Sequence, residues 1–273
     1  MDLTKRIVTR DEFRTGANYF KALRGYQRRE DILDAMYKSL DIKSLEKEGP
    51  VNSIDLGCGP GTVGEYFYNK LRQVVKIHEF FLDINPSMLS SISIRADYTI
   101  VEGDVTKLKF RSGYFDIATM KQVLDYLPKA LQYKALRETY RILKNNGQFV
   151  LSALVSPSEN AFDLTNLLYS EREKVLNPST PIQKFIPPRE IYSEWLEKIG
   201  FSDVSTRYVY EIPLTVKDFV SAFGLSEAQR KNLMKLYREV VTMDTTDEFK
   251  ARKVSGDIEL IEKAVVISSL KHL

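Results

Sequence analysis

Val51-Asn52-Ser53-Ile54-Asp55-Leu56-Gly57-Cys58-Gly59-Pro60-Gly61 is a short apolar run that carries an acid near its end and closes in three glycines. The run reads as a buried strand, and Val63–Leu71, which has helical spacing, makes the unit strand, loop and helix. Glycines in that turn let the backbone bend tightly and let a ligand approach main-chain atoms that a Cβ would block. The carboxylate suits a cationic amine better than a pyrophosphate, whose charge it would repel.

The same grammar extends on both sides. Downstream, Val74–Ile84 carries Phe80, Phe81 and Leu82 into Asp83, and a helix is expected to start at Asn85 or Pro86. Tyr98–Val101, Phe115–Met120 and Gly147–Val155 read as strands, with a helix over Leu131–Leu143. Strands alternating with helices imply a parallel sheet covered on both faces. Beyond Ser156, five prolines punctuate a segment with one helix over Asn160–Leu176; then come a helix over Glu190–Ile199 ended by Gly200, a strand over Val204–Ile212, a helix over Val216–Val241 and a last strand over Ile258–Leu270. Upstream, Phe13, Ala17, Phe20 and Leu23, then Ile32, Leu33, Met36, Tyr37 and Leu40, predict two helices divided at Gly25.

The whole is 273 residues, which fits one large α/β domain with appendages when a domain averages about 150. Hydrophobic residues at 43% and charged residues at 28% are ordinary for a globular chain and exclude disordered and collagen-like classes. A net charge of +3 marks no polyanion-binding surface by itself, so nucleic acid is not expected as a partner. A single cysteine, Cys58, excludes an internal disulfide and a cysteine-rich zinc site. The opening Met-Asp-Leu-Thr-Lys-Arg has no apolar core of a signal peptide and no run reaches a membrane span, so the expected location is cytoplasmic.

Gly59-Pro60-Gly61-Thr62-Val63-Gly64 also fits the G-x-G-x-x-G dinucleotide fingerprint, with Asp83 downstream, but its first glycine falls after an acid-bearing turn. Residues 51–155 as a whole resemble the class I S-adenosylmethionine-dependent methyltransferases. Asp55-Leu56-Gly57-Cys58-Gly59-Pro60-Gly61 is similar to that family's first motif, Leu82-Asp83-Ile84-Asn85-Pro86-Ser87-Met88-Leu89 to its second and Glu102-Gly103-Asp104-Val105 to its third. Phe115-Asp116-Ile117-Ala118 with Val123-Leu124-Asp125-Tyr126-Leu127 resembles the fourth strand and its loop, and Arg141-Ile142-Leu143-Lys144-Asn145-Asn146-Gly147 completes the order. The resemblance implies a Rossmann-like, seven-stranded, mostly parallel sheet with an antiparallel last strand, helices on both faces and a helical cap, and S-adenosylmethionine as cofactor.

The roles it implies are specific. The backbone of Gly57, Cys58, Gly59 and Gly61 would face the methionine end, with Asp55 favouring its ammonium. Asp83 would accept from the ribose hydroxyls with both oxygens. Asp104 would accept from the adenine amino group, Val105 would donate its backbone N–H, and Ile84 and Met88 would sandwich the ring. Main-chain atoms of Met120 and Lys121 would line the sulfonium. Taken singly, Asp55, Asp83 and Asp104 have plainer readings as caps and loop anchors, and Met88 as core.

For catalysis the sequence offers less. Methyl transfer from a sulfonium needs alignment more than a base. His78 and His272 are poorly placed, and the loop after the fourth strand reads Asp125-Tyr126 where many relatives carry histidine. Asp125 is a candidate base, against a capping or surface ion-pair role. Met120-Lys121-Gln122-Val123 lacks the Asn/Asp-Pro-Pro-Tyr/Phe pattern of adenine and glutamine methylation, and Cys58 is committed to the turn, which argues against cytosine C5 chemistry.

The flanks should choose the acceptor. Tyr19, Leu23 and Tyr26 form a helical stripe resembling the lid helices of small-molecule members, which makes Tyr19 and Tyr26 further candidates. Residues 1–30 hold eight basic against four acidic side chains, which suits a solvated face or an anionic partner. Gln183-Lys184-Phe185-Ile186-Pro187-Pro188 with Trp195-Leu196 is similar to the tail of malonyl carrier-protein carboxyl methyltransferases, which implies an acyl or carrier-bound acceptor. The organisation expected is a helical cap over 1–49, a cofactor-binding core over 50–156, an inserted lid over 157–189 and the rest of the sheet over 190–273. The function expected is methylation of a small or carrier-bound molecule; a non-catalytic cofactor-binding partner and an RNA methyltransferase using the basic N-terminal face are the alternatives.

Overall fold

The computed structural model describes residues 29–46, 49–176, 178–179 and 181–272. The predicted helices before residue 29, with Tyr19, Leu23 and Tyr26, lie outside them. Helix α1 spans Glu30–Lys38. The central elements are β1 (Val51–Leu56), α2 (Thr62–Leu71), β2 (Ile77–Asp83), α3 (Pro86–Leu89), β3 (Tyr98–Glu102), β4 (Phe115–Lys121), α4 (Lys129–Ile142) and β5 (Leu143–Val155). After them come α5 (Phe162–Leu176), α6 (Arg189–Ile199), β6 (Phe201–Thr215), α7 (Val216–Phe223), α8 (Glu227–Met243), β7 (Arg252–Val254) and β8 (Asp257–Lys271).

One sheet runs in the order β3-β2-β1-β4-β5-β8-β6, with β7 added as a short hairpin to β8. Strands β1 to β5 pair in parallel, and β8 pairs antiparallel to both β5 and β6. This is the expected Rossmann-like sheet with its antiparallel last strand, plus the hairpin strand.

Side chains alternate along each strand, and the alternation divides the core in two. Ile54, Leu56, Phe80, Leu82, Ala118, Met120, Phe149 and Leu151 face one side, under Ala135, Leu136 and Ile142 of α4 and Tyr192 and Leu196 of α6. Val51, Ile77, Phe81, Ile117 and Val150 face the other, under α1, α2, α5 and α8. Both faces are thus buried, which is why the strands read as continuous apolar runs.

Two expectations change. Val216–Val241 is two helices, because Gly224 adopts a left-handed φ of 61° that stops α7, and the reciprocal Ser226–Gln229 capping box starts α8. The fifth strand begins at Leu143, directly at the end of α4, rather than at Gly147. The segment after β5 packs with α8: Leu168 and Tyr169 share one core with Phe219, Leu233 and Tyr237.

Candidate active site

The carboxyl ends of β1, β2 and β4 and the loop after β3 surround a cavity. Its place follows from topology: the parallel strands present their carboxyl ends on one side, and the loops leaving them diverge around a crevice.

Asp55 comes from β1. Oδ2 accepts from the backbone N–H of Gly64 at 2.9 Å, and Oδ1 accepts from the Thr119 hydroxyl at 3.0 Å. Burial pushes this carboxyl up to about 6, against those two hydrogen bonds and nearby Lys121, while Asp83 pushes it further up. Gly64 is glycine because an added Cβ would stand 2.5 Å from the Phe81 ring and 3.2 Å from the Asp55 Cβ. Gly59, at φ 52°, has open space where a Cβ would project, so its backbone is bare toward the cavity. Burial, then the Asp55 and Asp83 charges, hold the Cys58 thiol well above its ordinary range and leave it protonated.

Asp83 ends β2. Its Oδ2 accepts from the Gly59 N–H and its Oδ1 from the Asn85 N–H, both at 2.8 Å, so the carboxylate clasps the glycine turn to the start of α3. Asn85 itself caps α3 by accepting from Ser87. Burial raises the Asp83 carboxyl, opposed by those backbone donors. Each oxygen keeps a lone pair for a second donor.

Asp104, after β3, accepts from the Thr106 N–H at 2.8 Å through Oδ1, while its Oδ2 is buried without a hydrogen-bond partner among the described residues. A buried carboxylate oxygen left so is costly unless a further donor meets it. Ile84, Met88, Val105 and Thr106 line the same end of the cavity, and Lys121, Gln122, Val123, Tyr126, Leu127, Pro128 and Leu131 form the wall on the β4 side.

The cavity therefore gathers Asp55, Gly57, Cys58, Gly59, Asp83, Ile84, Met88, Asp104, Val105 and Lys121. It does not gather Gly61, whose φ of 86° starts α2 and whose neighbours are Ile92 and Phe81, nor Met120, which is fully buried in the core. Asp125 lies in a buried turn behind the wall, neither a surface ion pair nor a helix cap; burial lifts it to about 6, and its Oδ1 has no hydrogen-bond partner among the described residues. His78 Nε2 lies 2.7 Å from the Thr99 hydroxyl, near the amino end of β2 and away from the cavity.

Sequence reading missed Thr119, which only the β1–β4 register places opposite Asp55. It also missed the Tyr126-Leu127-Pro128 wall, in a loop where the sequence pointed to Asp125 instead. Gln122 lines the cavity with a φ of 54°, which no sequence signal announces.

Residues 54–151 match the family model described as a methyltransferase domain. The 2-methyl-6-phytyl-1,4-hydroquinone methyltransferase of Spinacia oleracea is 25% identical over 185 residues, 66% of this chain and 46% of that protein. The chain spans about half the length of the curated relatives it matches. Among solved structures, the YcgJ protein of Bacillus subtilis superposes with a TM-score of 0.69 at 18% identity, covering 85% of this chain and 96% of that one. Human N-acetylserotonin methyltransferase, solved in complex with S-adenosylmethionine, gives a TM-score of 0.57 at 14% identity over 96% of this chain and 58% of its own. These structures share the fold, and the family match identifies residues 54–151 as a methyltransferase domain.

Proposed function

We propose that the chain binds S-adenosylmethionine in this cavity and transfers its methyl group to a small-molecule acceptor. The observation that carries the reading is the buried Oδ2 of Asp104, without a hydrogen-bond partner among the described residues, beside an acid-bearing glycine turn in the same cavity. Bound S-adenosylmethionine supplies an electrophilic methyl on a sulfonium. The chain supplies position: Asp104 would take the adenine amino hydrogen, Asp83 a ribose hydroxyl on each remaining lone pair, and Asp55 the ammonium. The backbone of Gly57 and Gly59 would lie along the methionine part. Shape and desolvation at the β4 wall would then align the acceptor with the methyl carbon, and alignment is the main demand of an in-line displacement.

The wall's Val123, Tyr126, Leu127, Pro128 and Leu131 suit an acceptor with an apolar or aromatic body. The Spinacia oleracea relative is a hydroquinone methyltransferase, which supports the same class.

Isothermal titration with S-adenosylmethionine and S-adenosylhomocysteine tests the reading. Micromolar affinity for both is expected, with Asp104→Ala weakening each by about 1–3 kcal/mol through the lost hydrogen bond. Absence of heat and of thermal stabilisation with either ligand overturns it.

A further inference from the structure

Two buried acids stand side by side on the sheet and are treated differently. Across β1 and β2, Ser53 pairs with Glu79 and Asp55 with Phe81, so Asp55 and Glu79 project to the same face. Both are fully buried. Asp55 has a donor on each oxygen, the Gly64 N–H on Oδ2 at 2.9 Å and the Thr119 hydroxyl on Oδ1 at 3.0 Å. Neither Glu79 oxygen has a hydrogen-bond partner among the described residues. Like charges this close in a buried layer oppose each other, and the acid with donors is the one that ionises. Burial, then the Asp55 charge, hold Glu79 well above the carboxylate range, so the negative charge falls to Asp55, the one of the two that lines the cavity.

Of the two donors to Asp55, one is backbone and the other is a side chain that β4 supplies. Thr119 lies opposite Asp55 in the β1–β4 register and is buried. On its other side it pairs with Val150 of β5, an apolar residue that offers no competing side-chain acceptor. Valine at 119 would keep the shape and lose the hydroxyl. Oδ1 would then lack its donor, and that penalty falls on the ionised carboxylate rather than on the neutral acid.

We propose that Thr119 is a positioning residue of the S-adenosylmethionine site, its hydroxyl keeping Asp55 ionised and oriented for the ligand's ammonium while the cavity is empty. This rests on the cavity being the S-adenosylmethionine site.

The other groups that face Asp55 leave this role to Thr119. Burial raises the carboxyl to about 6; the Gly64 N–H and then the Thr119 hydroxyl lower it, Asp83 at the end of β2 raises it, and Lys121 at the end of β4 lowers it. Cys58 and Glu79 are favoured by burial in their neutral forms. Replacing Asp83 or Lys121 changes a charge, and replacing Gly64 moves α2, whereas Thr119 can lose its hydroxyl with neither effect.

The loss of the hydroxyl should raise the Asp55 carboxyl by about one unit. In alkaline solution this changes no affinity, because Asp55 is ionised with and without ligand and both states lack the same hydrogen bond. In acid the empty site holds a proton that must leave when the ammonium binds, and a raised carboxyl makes that release about tenfold less favourable.

Isothermal titration with S-adenosylhomocysteine at about pH 5 and about pH 8 tests this, alongside 5′-methylthioadenosine, which keeps the adenosine and sulfur and lacks the ammonium. Thr119→Val should match the wild type within about twofold at the higher pH and bind S-adenosylhomocysteine about tenfold more weakly than the wild type at the lower. The two proteins should bind 5′-methylthioadenosine alike at both. Thr119→Ser, which restores the hydroxyl, should return the wild-type profile, and Thr119→Ala serves if the valine variant does not fold. Equal affinities of wild type and variant in acid overturn the proposal. A loss of the same size at both pH values, or one shared by 5′-methylthioadenosine, overturns it too, since Thr119 would then only keep the cavity's shape. Failure of the wild-type protein to bind S-adenosylhomocysteine at the higher pH overturns the proposed function itself, and that result is read first.

Discussion

At the scale of single residues the site is a set of acids, each already partly occupied by the chain. Asp83 shows the consequence: both of the oxygens read as ribose acceptors already hold backbone N–H groups at 2.8 Å. The carboxylate therefore shapes the turn as well as facing the cavity. Asp55 gives a pH dependence. With its carboxyl raised to about 6 by burial, the empty site is protonated below that value, and an ammonium ligand selects the ionised form. Binding in acid must then expel a proton, so affinity for S-adenosylmethionine should hold above about pH 7 and fall about tenfold per unit below pH 6. Titration calorimetry in two buffers of different ionisation enthalpy should show proton release near that pH, and Asp55→Asn should flatten the profile. A flat wild-type profile would remove Asp55 from the ammonium's contacts.

At the scale of elements, α2 is seated on β1 and β2 by Gly64. Alanine there would gain about 1 kcal/mol of helix propensity, but its Cβ would meet the Phe81 ring at 2.5 Å and the Asp55 Cβ at 3.2 Å. Overpacking of this kind costs about 1–3 kcal/mol, so the clash should win. Gly64→Ala is expected to lower the denaturation midpoint in urea and to weaken S-adenosylmethionine together, since it displaces the helix whose N–H holds Asp55. The helix boundaries around this unit were largely legible: Asn85 and Pro86 announce α3, and Gly200 ends α6 with a φ of 118°. The break at Gly224 was not, because an apolar helical period continues across it and only the left-handed φ reveals the stop.

At the scale of the molecule, the segment after β5 is fastened to the sheet by a buried charge pair. Arg172 of α5 pairs with Glu262 of β8, whose other oxygen accepts from the Tyr169 hydroxyl at 2.6 Å. The guanidinium lies 4.4 Å from the ring centres of both Tyr169 and Phe219. Removing one partner leaves a buried charge, so Arg172→Met should cost about 3–5 kcal/mol in urea unfolding. Arg172→Met with Glu262→Gln should cost much less, and the difference measures the coupling. Equal losses in the single and double variants would mean that packing, rather than charge, holds the helix. No helix among the described residues is long and apolar enough to cross a membrane.

Local order carried most of the architecture: the apolar run of residues 51–56, the glycines after it and the recurring strand-to-helix rhythm dictate a covered parallel sheet, because strands buried on both faces have no other way to hide. The same locality fixed Asp55, Asp83 and Asp104 at strand ends, where the cavity forms. What came only from the tertiary structure is whatever depends on pairing across the sheet. Thr119 reaches Asp55 through the β1–β4 register, Met120 turns into the core while its neighbour Lys121 faces the cavity, and Glu262 meets Arg172 across 90 residues of chain. Such contacts are set by how strands align and which face each side chain takes, and a one-residue change of register would reverse them all.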